Sequence, residues 1–360
     1  MTSSPFRPPR WLKSPHVQTI GAAAPLFAPP RSYVVAEEES LRVPVEADGR
    51  LHARVWWAAP RTPAAEGASA PQRAPAAERA PAVVVLHGIA GSKDSHCCVR
   101  AAVALHRAGY HVVRLDMRGA GDSVVDAPSL YHAGLTTDLD LVVRRLADHP
   151  RIAGVLVLGF SGGGSQALKL AGEWGDAAPA GVLGVASISA PLDYTRVAAR
   201  MDTLACLPYR FHVLRGLLDR ARAFVEHHPG RAHYRSADLD RIKRFRNYDG
   251  SIIVPMHGFS DVDRYYREAS SGPYLGRIRV PTLLVHAEDD PMVPIGSVRP
   301  WLADASSSVR VELSRHGGHI GWLAGLDEAS WINGWATSEA LAFFAERAPA
   351  PRRGRGAAPG

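Results

Sequence analysis

The sequence predicts an α/β fold: a mainly parallel central sheet with an antiparallel N-terminal hairpin, helices on both faces and a helical cap insertion. Three observations predict it. Short apolar runs alternate with longer helical stretches along most of the 360 residues. Those runs are continuous rather than alternating, as buried parallel strands are. One interval, residues 194–246, breaks the alternation with helical patterning and no strand.

Residues 1–31 read as an extension packed on the core. Residues 43–47 and 51–57 flank Asp48-Gly49, a turn pair that favours a hairpin because both positions tolerate positive φ. The strand-like runs that follow are 82–86, 111–115, 154–158, 181–188, 281–286 and 309–313. Helical stretches at 95–108, 135–149, 162–174 and 329–347 fill the gaps. The core is therefore expected in two parts, 32–193 and 247–347, with the cap at 194–246 between them. Segments 58–82 and 348–360 are Ala, Pro and polar residues with too little apolar surface to offset ordering, so a flexible loop and a disordered tail are expected.

Hydrophobic residues at 46% and charged residues at 21% are ordinary globular proportions. The formal charge of +7 is carried by arginine, and 194–246 alone holds eleven Arg and one Lys against four Asp and one Glu. Such a surplus faces water or anionic lipid head groups in peripheral contact; no nucleic-acid partner is expected. Cys97, Cys98 and Cys206 cannot form a disulfide framework, which fits a reducing, cytoplasmic setting. The first ten residues hold Pro5, Pro8 and Pro9 and no apolar core of signal-peptide length. No uncharged apolar run reaches the roughly 18 residues a membrane-spanning helix needs.

The chemistry-bearing signal is Gly159-Phe160-Ser161-Gly162-Gly163, a G-x-S-x-G placed between an apolar run and a helix. A nucleophile at a strand–helix turn needs a strained backbone, and the flanking glycines remove the Cβ atoms that would collide there. A phosphate loop would need Gly-Lys-Ser/Thr, and a dinucleotide site would need a glycine where Ser161 stands. A serine hydroxyl needs a base, and the base needs an orienting carboxylate, in the chain order Ser, acid, His. Asp289 and Asp290 end a strand; Asp290 is favoured because it stands four residues before Pro294 in a D-x-x-V-P turn, and neighbours at a strand end point differently. His316 and His319, set among glycines after the last strand, are both candidate bases. Oxyanion donors are assigned to the backbone N–H groups of Ile89, in His87-Gly88-Ile89-Ala90-Gly91-Ser92, and Gly162. His96-Cys97-Cys98 and His227-His228 lack metal-ligand spacing, so no metal and no cofactor are expected.

With those residues in place the chain resembles the YheT-like branch of the α/β-hydrolases, together with plant embryogenesis-associated hydrolases and animal abhydrolase-domain proteins. The resemblance runs from Trp11 to about Phe344. Its markers are Pro15-His16-Val17-Gln18-Thr19-Ile20, His87-Gly88 with Gly91-Ser92, and Arg118-Gly119-Ala120-Gly121-Asp122-Ser123. Further on stand Tyr248-Asp249, Gly258-Phe259, Tyr265-Tyr266-Arg267-Glu268-Ala269-Ser270, Ile278-Arg279-Val280-Pro281 and Gly317-Gly318-His319. It implies an α/β-hydrolase fold and a charge relay of Ser161, Asp290 and His319, so His319 is preferred over His316. Two departures from the family pattern are Gly162-Gly163-Gly164-Ser165 for Leu-Gly-Gly-Asn, and Arg264 where an acid is usual.

The expected function is hydrolysis of a small-molecule carboxylic ester through an acyl-enzyme on Ser161. The alternatives are acyl transfer to an alcohol and, in another class, a non-catalytic binding protein of the same fold. A dehalogenase would want a carboxylate where Ser161 stands. Acyl chain, alcohol and oligomeric state are not legible.

Overall fold

The computed structural model describes residues 6–23, 33, 35, 37–46, 48–58, 79–325, 332 and 334–348. The expected loop at 58–82 and tail at 348–360 lie almost wholly outside them, as do parts of the 1–31 extension and the start of the 329–347 helix. Eight strands form one sheet: β1 (Glu38–Pro44), β2 (Arg50–Trp56), β3 (Ala80–Leu86), β4 (His111–Leu115), β5 (Ile152–Phe160), β6 (Val182–Ile188), β7 (Thr282–Ala287) and β8 (Val309–Ser314). Their spatial order is β1-β2-β4-β3-β5-β6-β7-β8. The β1–β2 and β2–β4 pairs are antiparallel and the other five are parallel.

The central strands read as continuous apolar runs because both faces are covered. In β3, Ala82, Val84 and Leu86 join the core on one face, while Val83 and Val85 join the core on the other. Helices α3 (Thr137–Ala147) and α4 (Gly162–Trp174) close the first face with Leu139, Val142, Leu168 and Ala171. Helices α2 (His96–Arg107) and, at the C-terminal end, α12 (Trp335–Arg347) close the second with Val103, Leu105, Ala340 and Phe343.

The first strand begins at Glu38, earlier than its apolar residues suggest. It is an edge strand held by polar pairing: Arg54 Nη1 donates to Glu38 Oε1 at 2.6 Å, and Trp57 Nε1 donates to Glu39 Oε2 at 2.9 Å. Such a strand carries no hydrophobic period to detect.

Between β6 and β7 every regular element among the described residues is helical. They are α5 (Tyr194–Met201), α6 (Leu207–His227), the short α7 (Ser236–Leu239), α8 (Phe245–Tyr248) and α9 (Val254–His257), then α10 (Val262–Ala269). A third core, with Leu217, Phe224, Tyr248, Ile252 and Tyr265, ties these helices together and reaches Leu130 and Ala133 of the segment before α3. At the N-terminal side, α1 (Pro15–Ala23) lies against the loop that follows β8.

Candidate active site

Ser161 stands between β5 and α4 with φ 50° and ψ −119°, a left-handed conformation a side chain adopts only when its surroundings impose it. Its N–H donates to Ile188 O at 2.8 Å, which pins the turn to the neighbouring strand. The turn closes so tightly that a Cβ on Gly159 would lie 2.4 Å from Gly163 O, and one on Gly163 would lie 2.5 Å from His87 O. Those two positions need glycine for close approach.

The sequence-predicted partners converge on this turn. Ser161 Oγ is 3.0 Å from His319 Nε2, and His319 Nδ1 is 2.8 Å from Asp290 Oδ2. The second carboxylate oxygen, Asp290 Oδ1, accepts the N–H groups of Met292 and Val293, each at 2.8 Å. Burial works against the Asp290 charge, but His319, His286 and the Val293 N–H outweigh it and hold the pKa below the ordinary carboxylate value. The two adjacent aspartates diverge. Asp289 turns to the other histidine, with Oδ2 3.3 Å from His316 Nδ1, and its Oδ1 accepts the Gly318 N–H at 2.9 Å.

Ile89 and Gly162 also meet beside Ser161: a Cβ on Gly162 would lie 3.3 Å from Ile89 N. As the first residue of α4, Gly162 has an N–H without an intrahelical acceptor. His87 shapes the other side. Met117 N–H donates to its Nε2 at 3.1 Å, so the ring proton sits on Nδ1 and donates to Gly88 O at 2.7 Å. Burial, with Arg220 and Lys93 nearby, drives the His87 pKa down to about 3, which keeps the ring neutral.

Comparison with known proteins gives the family. The alpha/beta hydrolase fold family model matches residues 81–325. The putative esterase YheT of Escherichia coli K12 is 30% identical over 258 residues, covering 71% of this chain and 75% of that protein. The chain belongs to the α/β-hydrolase fold family, in its YheT-like branch. The embryogenesis-associated protein EMB8 of Picea glauca is 25% identical over 71% of this chain and 56% of its own length. The monoacylglycerol lipase of Saccharomyces cerevisiae is 27% identical over 70% and 57%. The chain thus spans just over half the length of those two relatives. Among solved structures, the Pyrococcus furiosus esterase Pf2001 aligns with TM-score 0.54 at 15% identity, over 89% of this chain and 97% of that one, which is a likeness of fold. Relatives named as esterases and lipases support hydrolase activity.

Several YheT-like markers turn out to be supports for the loop that carries His319. His319 N–H donates to Thr19 Oγ1 at 2.9 Å, and Thr19 Oγ1 donates to Pro15 O at 2.7 Å. Gln18, fully buried, accepts the Leu323 N–H at 2.7 Å and donates to Leu12 O at 2.7 Å and Leu323 O at 3.1 Å. The loop itself is strained at Ile320 and Trp322, both with positive φ, and Ser189 Oγ accepts the Ile320 N–H at 3.2 Å. In the Arg118–Ser123 marker, Arg118 makes a two-pronged pair with Asp138 at 2.9 and 2.6 Å.

Above Ser161 and His319 opens a cavity of about 800 Å³, walled by Ile89 and Ile320 below and by Tyr194, Leu217, Tyr248 and Tyr266 of the helices between β6 and β7. The insertion is tied to the turn after β3 by Arg220 of α6, whose Nη2 donates to the carbonyls of Ala90 and Gly91. The basic segment therefore turns the Arg220 guanidinium inward. Arg264 lies on the outside of α10, paired with Glu268 at 2.6 Å. Among the described residues no group of three or more His, Cys, Asp or Glu could hold a metal, and no helix is long and apolar enough to cross a membrane.

Proposed function

We propose that this YheT-like hydrolase is a serine enzyme that cleaves carboxylic esters through an acyl-enzyme on Ser161. The observation that carries the reading is the hydrogen-bonded chain from Ser161 Oγ through His319 to Asp290 at the floor of an apolar cavity. His319 Nε2 takes the Ser161 proton as Oγ attacks the ester carbonyl, and the imidazolium is stabilised by the buried Asp290 carboxylate. The Ile89 and Gly162 N–H groups receive the oxyanion; collapse expels the alcohol, protonated by His319. Water, deprotonated by the same ring, then releases the acid. In this reading 194–246 acts as the cap, with the core in two parts, 32–193 and 247–347, and the free thiols Cys97, Cys98 and Cys206 fit a cytoplasmic setting.

Acyl transfer to an alcohol is a second reading, favoured by the name of a yeast relative, medium-chain fatty acid ethyl ester synthase/esterase 2, 29% identical over 73% of this chain. Labelling of the folded protein by a fluorophosphonate, lost in Ser161→Ala together with hydrolysis of p-nitrophenyl esters, tests the nucleophile. Activity that survives Ser161→Ala sinks it.

The cavity mouth supports peripheral contact with an anionic lipid surface. Trp11, Val17 and Ile20 on the N-terminal side and Leu204, Leu207 and Phe211 beside α6 are large apolar side chains left exposed. The two elements meet where His16 Nδ1 lies 2.5 Å from Tyr209 Oη. Arg7, Arg10 and Lys13 are exposed in the same stretch, and no acidic residue precedes Glu37. An apolar patch with bases along its N-terminal side suits a negatively charged membrane surface.

A further inference from the structure

The Ile89 N–H, assigned to the oxyanion, shares a planar peptide with the Gly88 carbonyl, so whatever fixes that carbonyl aims that N–H. Gly88 O accepts from His87 Nδ1 at 2.7 Å and from the Gly91 N–H at 2.9 Å. The Gly91 N–H shares its own peptide with the Ala90 carbonyl, and Ala90 O accepts from Arg220 Nη2, which also donates to Gly91 O. Two rigid peptides therefore connect a guanidinium of the cap to the Ile89 N–H. The path runs from Arg220 to Ala90 O, from the Gly91 N–H to Gly88 O, and so to Ile89.

This turn needs an outside hold. Ala90 stands at φ 62°, in the left-handed region that a side chain disfavours, and its N–H is held by the Tyr131 hydroxyl at 3.0 Å. The cap lies close against it: a Cβ on Gly216, four residues before Arg220 in α6, would lie 3.1 Å from Ala90 Cβ. Ile89 and Ala90 both pack on the third core, which holds Leu217 and Phe224 of the same helix. The other terminal nitrogen, Arg220 Nη1, is buried with no hydrogen-bond partner among the described residues. Leaving a charged donor dry and unpaired is unfavourable, so stability alone does not account for this guanidinium.

We infer that Arg220 is a positioning residue for the oxyanion: its grip on Ala90 and Gly91 aims the Ile89 N–H, so this donor is in place only while the cap is seated. Its charge also polarises the two peptides in series, which strengthens the last N–H. The inference rests on the proposed Ser161 chemistry and its oxyanion donors.

The test is Arg220→Met, which keeps an apolar stem and removes the donors. Acylation and deacylation both pass through an oxyanion, so kcat for p-nitrophenyl octanoate should fall about ten- to hundredfold, below the loss for deleting an oxyanion donor, with KM nearly unchanged. Trifluoromethyl octyl ketone, which forms an oxyanion on Ser161, should lose affinity by the same factor, while methyl octyl ketone keeps its own. Methylguanidinium should restore activity to Arg220→Ala and leave the wild type unchanged. A kcat within about twofold of wild type, far from the loss of a donor, overturns the inference and leaves ester hydrolysis standing. So does a raised KM with weaker binding of both ketones at constant kcat, which makes Arg220 a wall of the cavity. If kcat and both ketones fall together, the cap has shifted, and Arg220→Ala decides: methylguanidinium that restores the preference for the trifluoromethyl ketone keeps the inference, and none ends it. A wild type that neither turns over the ester nor prefers the trifluoromethyl ketone refutes the Ser161 reading itself, and this inference with it.

Discussion

Thr19 and His319 are 300 residues apart in sequence, yet one hydrogen bond joins them at 2.9 Å. Thr19→Val keeps the side-chain shape and removes the acceptor of the His319 N–H. Leaving that backbone donor unpaired costs about 1–3 kcal/mol. The loop cannot absorb this by sliding towards α1, since a Cβ on Gly318 would already meet Pro15 O at 2.5 Å. It must move away, carrying the imidazole from Ser161 Oγ, and a displacement of about 1 Å in a catalytic group costs roughly a hundredfold in rate. The expected outcome is a ten- to hundredfold fall in kcat for a p-nitrophenyl ester, at the scale of that estimate, with KM nearly unchanged. Thr19→Ser, which keeps the oxygen, should recover most of it. A Thr19→Val enzyme within about twofold of wild type, well under the effect of such a displacement, would refute the reasoning. So would a Thr19→Ser enzyme as impaired as the valine variant. A raised KM at constant kcat would instead make Thr19 a wall of the cavity, which it also lines.

Three further outcomes follow from the same geometry. The Asp290 carboxyl is held below its ordinary pKa, so its stabilisation is complete above the unfolded value and is lost as pH falls through the folded one; Asp290→Asn should flatten the acid limb of a Tm–pH curve while lowering kcat by several powers of ten. Asp249 has the opposite sign: raised to about 7, it binds a proton in the fold that the unfolded chain has released, so stability should decline between about pH 4 and 7 by up to roughly 4 kcal/mol. Asp249→Asn should remove that decline, and an unchanged Tm–pH curve would contradict the burial argument. Co-sedimentation with vesicles of phosphatidylcholine plus phosphatidylserine should exceed that with phosphatidylcholine alone and should drop in Trp11→Asp and Phe211→Asp, while hydrolysis of a short soluble ester is unchanged; equal binding by these variants, or dimerisation through the patch, would remove the lipid proposal.

What could be read from the sequence was whatever is enforced locally. Ser161 was legible because the turn demands glycines at fixed spacing, and the parallel sheet because strands such as Ala80–Leu86 bury both faces. The choice between Asp289 and Asp290 was half legible: neighbours at a strand end must diverge, but which histidine each meets is decided by the loop after β8. Gln18 and Thr19 stood out only as part of a family marker and Ser189 not at all, since their roles consist of contacts with a loop more than a hundred residues away. Arg220 is different, because its signal was present and hidden by the charge count. In α6 the buried side chains are Tyr209, Leu214, Leu217, Ala221 and Phe224. Arg220 stands three residues after Leu217 and four before Phe224, on the margin of that inward face, whereas Arg215 and Arg222 fall outside it. Counting charge over a segment averages the two faces of a helix, and the arginine that reaches the Ala90 and Gly91 carbonyls emerges only when position is weighed with sign.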